Sequence, residues 1–227
     1  MITLLTPNGV ISAYAKGSLR PRSRLASATG MLSYSDFELF PGANMYTVDD
    51  AQIRHRFARI SADAMGYSLA IYFCELLKLL APMEDDAGDF MSLMLNTLHL
   101  INEGKKDRDV VKSVFELRIA TYAGYLPDLE ACRVCGESHP GGIHFDILNG
   151  SWLCPECAGT LALPINCPAS VLAALRHIVQ GSLAAAFGFE LGAQSLARLS
   201  ALSEQYIIAR LERLPATLEF YRKLVSG

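Results

Sequence analysis

The sequence predicts an α+β protein in which a small β-rich segment precedes a helical region with an inserted four-cysteine hairpin. Short β-prone runs alternate with turn residues up to about residue 50. Helical spacing of apolar residues dominates after that point, and two C-x-x-C pairs interrupt it. These two hydrophobic periodicities are the main signals that separate strands from helices. The predicted domains are residues 1–52 and residues 53–227, with the insert at residues 130–160.

Three strands are predicted in the β-rich segment, at residues 2–5, 10–15 and 31–40. Residues 6–9 are Thr-Pro-Asn-Gly and separate the first two strands, and Pro-Gly follows the third. Proline presets the backbone for a turn, while asparagine and glycine tolerate a left-handed conformation. The first two strands are therefore predicted to form a hairpin.

Three helices are predicted in the remainder, at residues 57–80, 87–103 and 107–124, and two or three more follow the cysteine segment, near residues 168–180, 195–213 and 215–225. The first is long and mostly buried, and it ends before Pro82. Gly104 is the predicted stop of the second, because glycine adopts the left-handed conformation that ends many helices. Asp107 is the predicted N-cap of the third, because its carboxylate accepts a hydrogen bond from a free backbone amide.

Two cysteine pairs, Cys132 with Cys135 and Cys154 with Cys157, predict a structural zinc site. Each C-x-x-C turn lets two thiolates reach one ion. The eighteen residues between the pairs are enough for a short hairpin that turns at Asn149 and its following glycine. Four thiolates leave no open position for a water nucleophile, so the predicted role of the metal is to stabilise a local fold.

Two disulfides and a thioredoxin-type redox pair are alternative uses of these cysteines. The first residues lack the basic and long apolar regions of a secretory signal, so a reducing compartment, which disfavours structural disulfides, is expected. Neither pair has the strand-to-helix context of a redox motif. His139 or His144 could replace a thiolate, although four cysteines make that unnecessary. Cys74 lies in an apolar helical run, and Cys167 is assigned no role.

The segment from Lys16 to Arg24, called the basic loop below, is the main candidate for a ligand contact. Its cations are Lys16, Arg20, Arg22 and Arg24, with small polar, glycine and proline neighbours. Residues 1–60 carry a net charge of +3 and the rest of the chain carries −6, so a polyanion would meet the N-terminal part first. Such a loop can follow a phosphate backbone without reading bases, although a solvated connection between strands has the same composition.

Motifs of several enzyme classes are absent from the sequence. It contains no G-x-x-x-x-G-K-[ST] phosphate loop, no H-E-x-x-H and no G-x-S-x-G. No apolar run approaches the length of about 18 residues that a membrane span requires. The sequence therefore favours a protein that is not an enzyme and does not span a membrane.

Three pairs of segments resemble the RecO family of bacterial DNA repair and recombination mediators. They are LLT with AKGSLRPRSR at residues 4–6 and 15–24, FELR with GYLPDL at residues 115–118 and 124–129, and CRVCG with LCPECA at residues 132–136 and 153–158. The resemblance covers most of residues 3–160, and the combination is more specific than any one segment. Beyond residue 160 the resemblance to the family consists of a similar helical pattern more than of shared motifs.

This resemblance implies an N-terminal OB-fold barrel, a helical C-terminal domain and a zinc ribbon-like insert. It implies binding of single- and double-stranded DNA, annealing of complementary strands, and assistance in loading the recombinase onto DNA coated by single-stranded DNA-binding protein. The implied partners are RecR and the acidic C-terminal tail of the single-strand binder, and the implied location is the cytoplasm, at the nucleoid. Compared with the family, the chain begins inside the first domain, so the barrel is expected to lack its first strand.

Carried over onto this sequence, the family's DNA-binding positions fall on the four cations of the basic loop, and its zinc ligands fall on the four paired cysteines. Arg118, on the third predicted helix, is a candidate for contacting the acidic tail. A helix-surface arginine paired with a local carboxylate is the alternative for Arg118. Two other functions stay open: a zinc-stabilised interaction scaffold that does not bind DNA itself, and an enzyme that uses a reactive thiol.

Overall fold

The computed structural model describes residues 1–18, 20, 23, 25–43, 45–83 and 85–226. Its strands are β1 (Ile2–Thr6), β2 (Gly9–Tyr14), β3 (Ser33–Pro41), β4 (Tyr46–Arg56), β5 (Gly142–Asp146), β6 (Ser151–Leu153) and β7 (Cys167–Pro168). Its helices are α1 (Ala64–Leu80), α2 (Gly88–Glu103), α3 (Arg108–Tyr122), α4 (Pro155–Thr160), α5 (Ala169–Gln180), α6 (Leu183–Ala186), α7 (Ala193–Leu211) and α8 (Ala216–Ser226), with a short 3₁₀ helix at Ile60–Ala62.

These elements form two compact units. The first comprises residues 1–104 together with the end of the chain from Phe220, and the second comprises residues 105–219. The domain boundary predicted after residue 52 stays a prediction. None of the helices in the described ranges is long and apolar enough to cross a membrane.

The first unit contains a four-stranded sheet with the order β1-β2-β4-β3. The outer pairs β1/β2 and β3/β4 are antiparallel, whereas β2 and β4 pair in parallel over only two residue pairs. Within the described residues, β1 and β3 are the outer strands of an open sheet. The OB-fold barrel that the family resemblance implies is therefore not confirmed, while the α+β class is.

One face of this sheet carries a small apolar core. Ala13, Val48 and Leu25 are buried in it, with half-buried side chains of β1, β3 and β4 packed around them. The predicted hairpin is confirmed: β1 and β2 meet at a turn in which Thr6 Oγ1 donates to the Gly9 carbonyl over 2.9 Å. Gly9 has a φ of +113°, which favours glycine at this position.

The prediction of a helix from residue 57 is wrong at its start. Strand β4 continues to Arg56, the 3₁₀ turn follows, and α1 begins at Ala64. Phe57 and Ile60 are buried at a spacing that suits a helix but equally suits this turn. Sequence reasoning missed β4 altogether, because its charged residues hide the alternation that marks a strand.

Helices α1 and α2 pack together in the first unit and are tied to the β1/β2 hairpin by the backbone. Val10 N–H donates to the Pro82 carbonyl over 2.9 Å, and Ala87 N–H donates to the Pro7 carbonyl over 2.8 Å. Helix α2 ends at Gly104 as predicted, with a φ of +66°.

The second unit is built around α3, which packs against α5 and α7. Every α3 residue from Val110 to Ala120 is buried. The predicted N-cap is confirmed, since the Asp107 carboxylate accepts a hydrogen bond of 2.8 Å from Asp109 N–H. The burial of α3 on all sides explains why its lysine, glutamate and arginine side chains need partners inside the protein.

A buried ionic cluster lies between α3 and α7. Lys112 Nζ is 3.1 Å from Glu116 Oε1 and 2.9 Å from Glu204 Oε2, and Ser203 Oγ donates to Glu116 over 2.6 Å. Burial lowers the pKa of Lys112, but the two carboxylates outweigh it and raise that pKa, so the ammonium stays charged. Burial raises the pKa of Glu116 despite its contact with Lys112.

A three-stranded sheet of order β6-β5-β7 completes the second unit. The predicted hairpin of β5 and β6 is present, but its two-residue turn is wrong. Asp146 pairs with Ser151, which leaves a four-residue loop at residues 147–150. The Asp146 carboxylate accepts bonds from the Asn149 backbone and side chain, and Gly150 takes a φ of +63°. These bonds stabilise the longer loop.

Candidate metal centre

The four paired cysteines come together in one cluster in the second unit. The sulfur atoms of Cys132, Cys135, Cys154 and Cys157 all lie within 4.8 Å of one another, and Cys135 Sγ is 3.6 Å from Cys154 Sγ. Tetrahedral zinc with Zn–S distances of about 2.3 Å separates its sulfur ligands by roughly 3.8 Å. The cluster therefore has the ligand number, ligand type and approximate spacing that a structural zinc ion needs.

Each cysteine pair lies on a tight turn. In the first, Cys132 N–H donates to the Glu137 carbonyl over 2.8 Å and Gly136 N–H donates to the Cys132 carbonyl over 2.9 Å. In the second, Cys154 is the N-cap of α4, and its sulfur accepts from Cys157 N–H over 3.5 Å. Helix α4 was missed by sequence reasoning, although Pro155 in its first turn is a common start signal.

The surroundings of the sulfur atoms shift the pKa values of Cys132 and Cys157 in opposite directions. Burial raises the pKa of Cys132, but backbone amides of Cys135, Cys154 and Val134 outweigh it and lower that pKa to about 6. A hydrogen bond with Cys154 raises the pKa of Cys157 to about 12. Cation binding favours all four thiolates, so loading of the cluster would release protons.

His139 and His144, the alternative ligands, are not members of this cluster. His139 Nδ1 is 2.8 Å from Ser138 Oγ, and His144 Nδ1 is 2.7 Å from the Pro164 carbonyl oxygen. Burial raises the pKa of Cys74 to about 11 and that of Cys167 to about 12, which keeps both thiols protonated and poorly nucleophilic at neutral pH.

The hairpin between the two cysteine pairs is attached to α7 by an arginine that sequence reasoning missed. Arg210 Nη2 donates to the carbonyls of Ile147 and Leu148 over 2.5 and 2.6 Å. Its guanidinium carbon lies 4.7 Å from the centre of the Tyr206 ring. An arginine among alternating charges near a helix end gives no sequence signal for such a role.

The basic loop lies in the first unit, directly after β2. Lys16 and Arg20 are exposed there, on a chain of turns in which Arg20 N–H donates to the Gly17 carbonyl over 3.0 Å. Arg22 and Arg24 lie outside the described residues. The DNA-binding role of all four cations stays a prediction.

Arg118 occupies a different environment from the helix surface that the sequence suggested. Its side chain is buried in the second unit, and Nη2 donates to the Gly181 carbonyl oxygen. Its Nε has no hydrogen-bond partner among the described residues. The reason is that α3 is covered on every side, so a position that looks exposed on an isolated helix is enclosed.

Two family models together match nearly the whole chain. The model described as "Recombination protein O N terminal" matches residues 1–57, and the one described as "Recombination protein O C terminal" matches residues 61–218. The chain belongs to the RecO family. The basic loop lies within the N-terminal match, and the four-cysteine cluster and Arg118 lie within the C-terminal match.

Curated RecO proteins align with this chain over most of its length. "DNA repair protein RecO" of Acetivibrio thermocellus is 30% identical over 225 residues, which is 99% of this chain and 90% of the relative. The protein of the same name from Symbiobacterium thermophilum is 30% identical, with 100% of this chain and 91% of the relative covered. That from Alkaliphilus metalliredigens is 26% identical, with coverage of 99% and 92%. These RecO relatives are named as DNA repair proteins.

Proposed function

We propose that this RecO-family protein is a recombination mediator in DNA repair. In this role it binds single- and double-stranded DNA, anneals complementary strands, and assists recombinase loading on DNA coated by single-stranded DNA-binding protein, together with RecR. The observation that carries the proposal is the match of both RecO family models to one chain. The open N-terminal sheet then corresponds to part of an OB-fold domain, and the cysteine cluster to a zinc ribbon-like insert.

The proposed mechanism needs charge neutralisation and no bond cleavage. Two DNA strands repel each other through their phosphates, and a surface that neutralises several phosphates on each strand lowers that barrier. Cations that contact only the backbone leave the base edges free to pair. The exposed Lys16 and Arg20 side chains on the turn after β2 suit this role.

We expect replacement of the four basic-loop cations by alanine to weaken single-stranded DNA binding to a similar extent for different sequences. The slope of log Kd against log salt concentration should fall by about 0.7 for each phosphate that the protein no longer neutralises. Fluorescence anisotropy of labelled strands at several salt concentrations measures both effects. A matched control removes four exposed cations elsewhere, namely Lys78, Lys106, Arg213 and Lys223.

Equally weakened binding in the two variants would show that net charge, and not the basic loop, governs affinity. Annealing assays with the complementary strand extend the same comparison. If the folded, zinc-containing protein binds no DNA even at low salt, the mediator function fails and the interaction scaffold becomes the better account.

We further propose that Arg118 receives the acidic, apolar tail of the single-strand binder. Because Arg118 is buried and already donates to the Gly181 carbonyl, the tail would have to displace that contact, after which Nε and Nη2 could both donate to a carboxylate of the tail. Arg118→Lys should weaken the binding of a labelled acidic, apolar peptide, because one ammonium group cannot replace the several donors of a planar guanidinium. Fluorescence anisotropy measures this binding. Basic-loop variants should bind the peptide normally. Unchanged peptide affinity in a folded Arg118→Lys protein would refute this site.

A further inference from the structure

The two ends of the loop that carries the first cysteine pair bond to the same side chain of the second unit. Leu129 and Glu130 lie on its incoming side, and Ser138 lies on its outgoing side. Arg176, on α5, donates to the backbone carbonyls of all three: from Nε to Leu129 over 2.7 Å, and from Nη2 to Glu130 and Ser138 over 2.9 and 3.0 Å. One guanidinium therefore joins the two ends of the loop.

Arg176 also lies near the strand that leads to the second cysteine pair. Its guanidinium carbon lies 5.9 Å from the centre of the Trp152 ring, and Trp152 is fully buried on β6, two residues before Cys154. The same strand meets the first loop directly, since the Trp152 carbonyl accepts from Arg133 N–H over 3.1 Å. Arg176 thus bonds to both ends of the loop that carries the first cysteine pair and lies beside the strand that leads to the second pair.

From this geometry we infer that Arg176 is a positioning residue for the candidate metal site. It acts through backbone carbonyls and does not contact the sulfur atoms. Closing the loop at its ends reduces the number of conformations that the Cys132–Cys135 turn samples before a metal binds, and so lowers the entropy that binding must overcome. The inference rests on the proposed zinc site.

The geometry requires arginine specifically. Two nitrogen atoms of a planar guanidinium serve three carbonyls that lie on two separate stretches of backbone. A lysine ammonium is a single point of donation on a flexible stem, so it cannot reproduce this fork. The carbonyl acceptors are also backbone groups, which explains why no pattern in the side chains near the cysteines pointed to a residue as distant in sequence as Arg176.

The test uses the full chain and measures metal affinity directly. Arg176→Met removes the donors but keeps an apolar stem against Trp152, and Arg176→Lys keeps the charge without the fork. Zinc affinity is measured by competition with a chromogenic chelator, and the visible spectrum of the Co²⁺-substituted protein reports the thiolate geometry. Loss of residues that orient metal ligands typically weakens metal binding about 10- to 100-fold.

We expect zinc affinity to fall by this factor in Arg176→Met and by a smaller factor in Arg176→Lys. The control Arg198→Met removes an exposed arginine from α7 of the same unit and should leave zinc affinity unchanged. Circular dichroism at saturating zinc shows whether each variant is folded. If Arg176→Met does not fold, Arg176→Lys decides the question, and affinity equal to the wild type would overturn the inference.

The result separates the two proposals. A wild-type protein that holds neither zinc nor cobalt would refute the metal site itself. A wild type that binds zinc, with an Arg176→Met variant of unchanged affinity and unchanged cobalt spectrum, would refute only the positioning role of Arg176.

Discussion

Replacement of Cys132 by serine should abolish tight zinc binding and unfold the segment that contains the cysteine cluster. Cys132 is buried, and its sulfur accepts a hydrogen bond of 3.3 Å from Cys154 N–H, so it joins the two pairs. Zinc binding to isolated fingers is worth about 10–16 kcal/mol at neutral pH, which is more than a small segment can replace by packing. Metal content of the purified protein gives the first measurement.

The only tryptophan of the chain gives the second measurement. Trp152 is fully buried between the two cysteine pairs, so its emission should shift to longer wavelength when the segment opens to water. Cys74→Ser, in α1 of the first unit, is the matched control and should change neither zinc content nor tryptophan emission. A Cys132→Ser protein with wild-type zinc content and wild-type emission would disprove the metal site.

Replacement of Lys112 by methionine should destabilise the protein by about 3–5 kcal/mol, the typical result of removing one partner from a buried ion pair. The variant removes the ammonium that lies between Glu204 and Glu116, whose side chain has no exposed surface. Urea unfolding measures the change in stability. The double variant Lys112→Met/Glu116→Gln should recover much of the lost stability, because it removes the buried negative charge of Glu116.

The pH dependence of Lys112→Met follows from the burial of Glu116. Burial raises the pKa of this carboxyl above its ordinary value of 4.5, and Lys112, which opposes that shift, is absent from the variant. The folded variant therefore binds a proton at Glu116 more tightly than the unfolded chain does. The loss of unfolding free energy relative to the wild type should be complete at pH values above the pKa of Glu116 in the folded variant. It should become smaller as the pH falls through that pKa. A deficit that does not vary with pH would contradict this account.

The parts of the fold that the sequence predicted well depend on local signals. Asp107, Gly104 and the Pro-Asn-Gly turn before β2 act on their own neighbours, and the structure places each at the predicted cap or turn. The cysteine spacing likewise indicated a shared cluster, because two C-x-x-C turns need only one hairpin to meet. Local chemistry was sufficient for these features.

The features that sequence reasoning missed depend on distant partners. Strand β4 is stabilised by pairing with β2 and β3, although its own charged residues suit a loop. The roles of Arg176 and Arg210 arise from backbone carbonyls far away in sequence. Arg118 looked exposed because one helix alone does not reveal that neighbours cover its whole circumference. Tertiary packing determined each of these, and no single-sequence pattern encodes it.

The position of β5 between β6 and β7 has a consequence for protein engineering. Because β7 runs directly into α5, the strand that carries the cysteine hairpin shares its hydrogen bonds with the start of a helix of the second unit. The cysteine segment therefore cannot be removed, or exchanged for a shorter loop, by cutting the chain at two flanking residues alone. A graft that preserves it would have to carry the β7–α5 junction along with it.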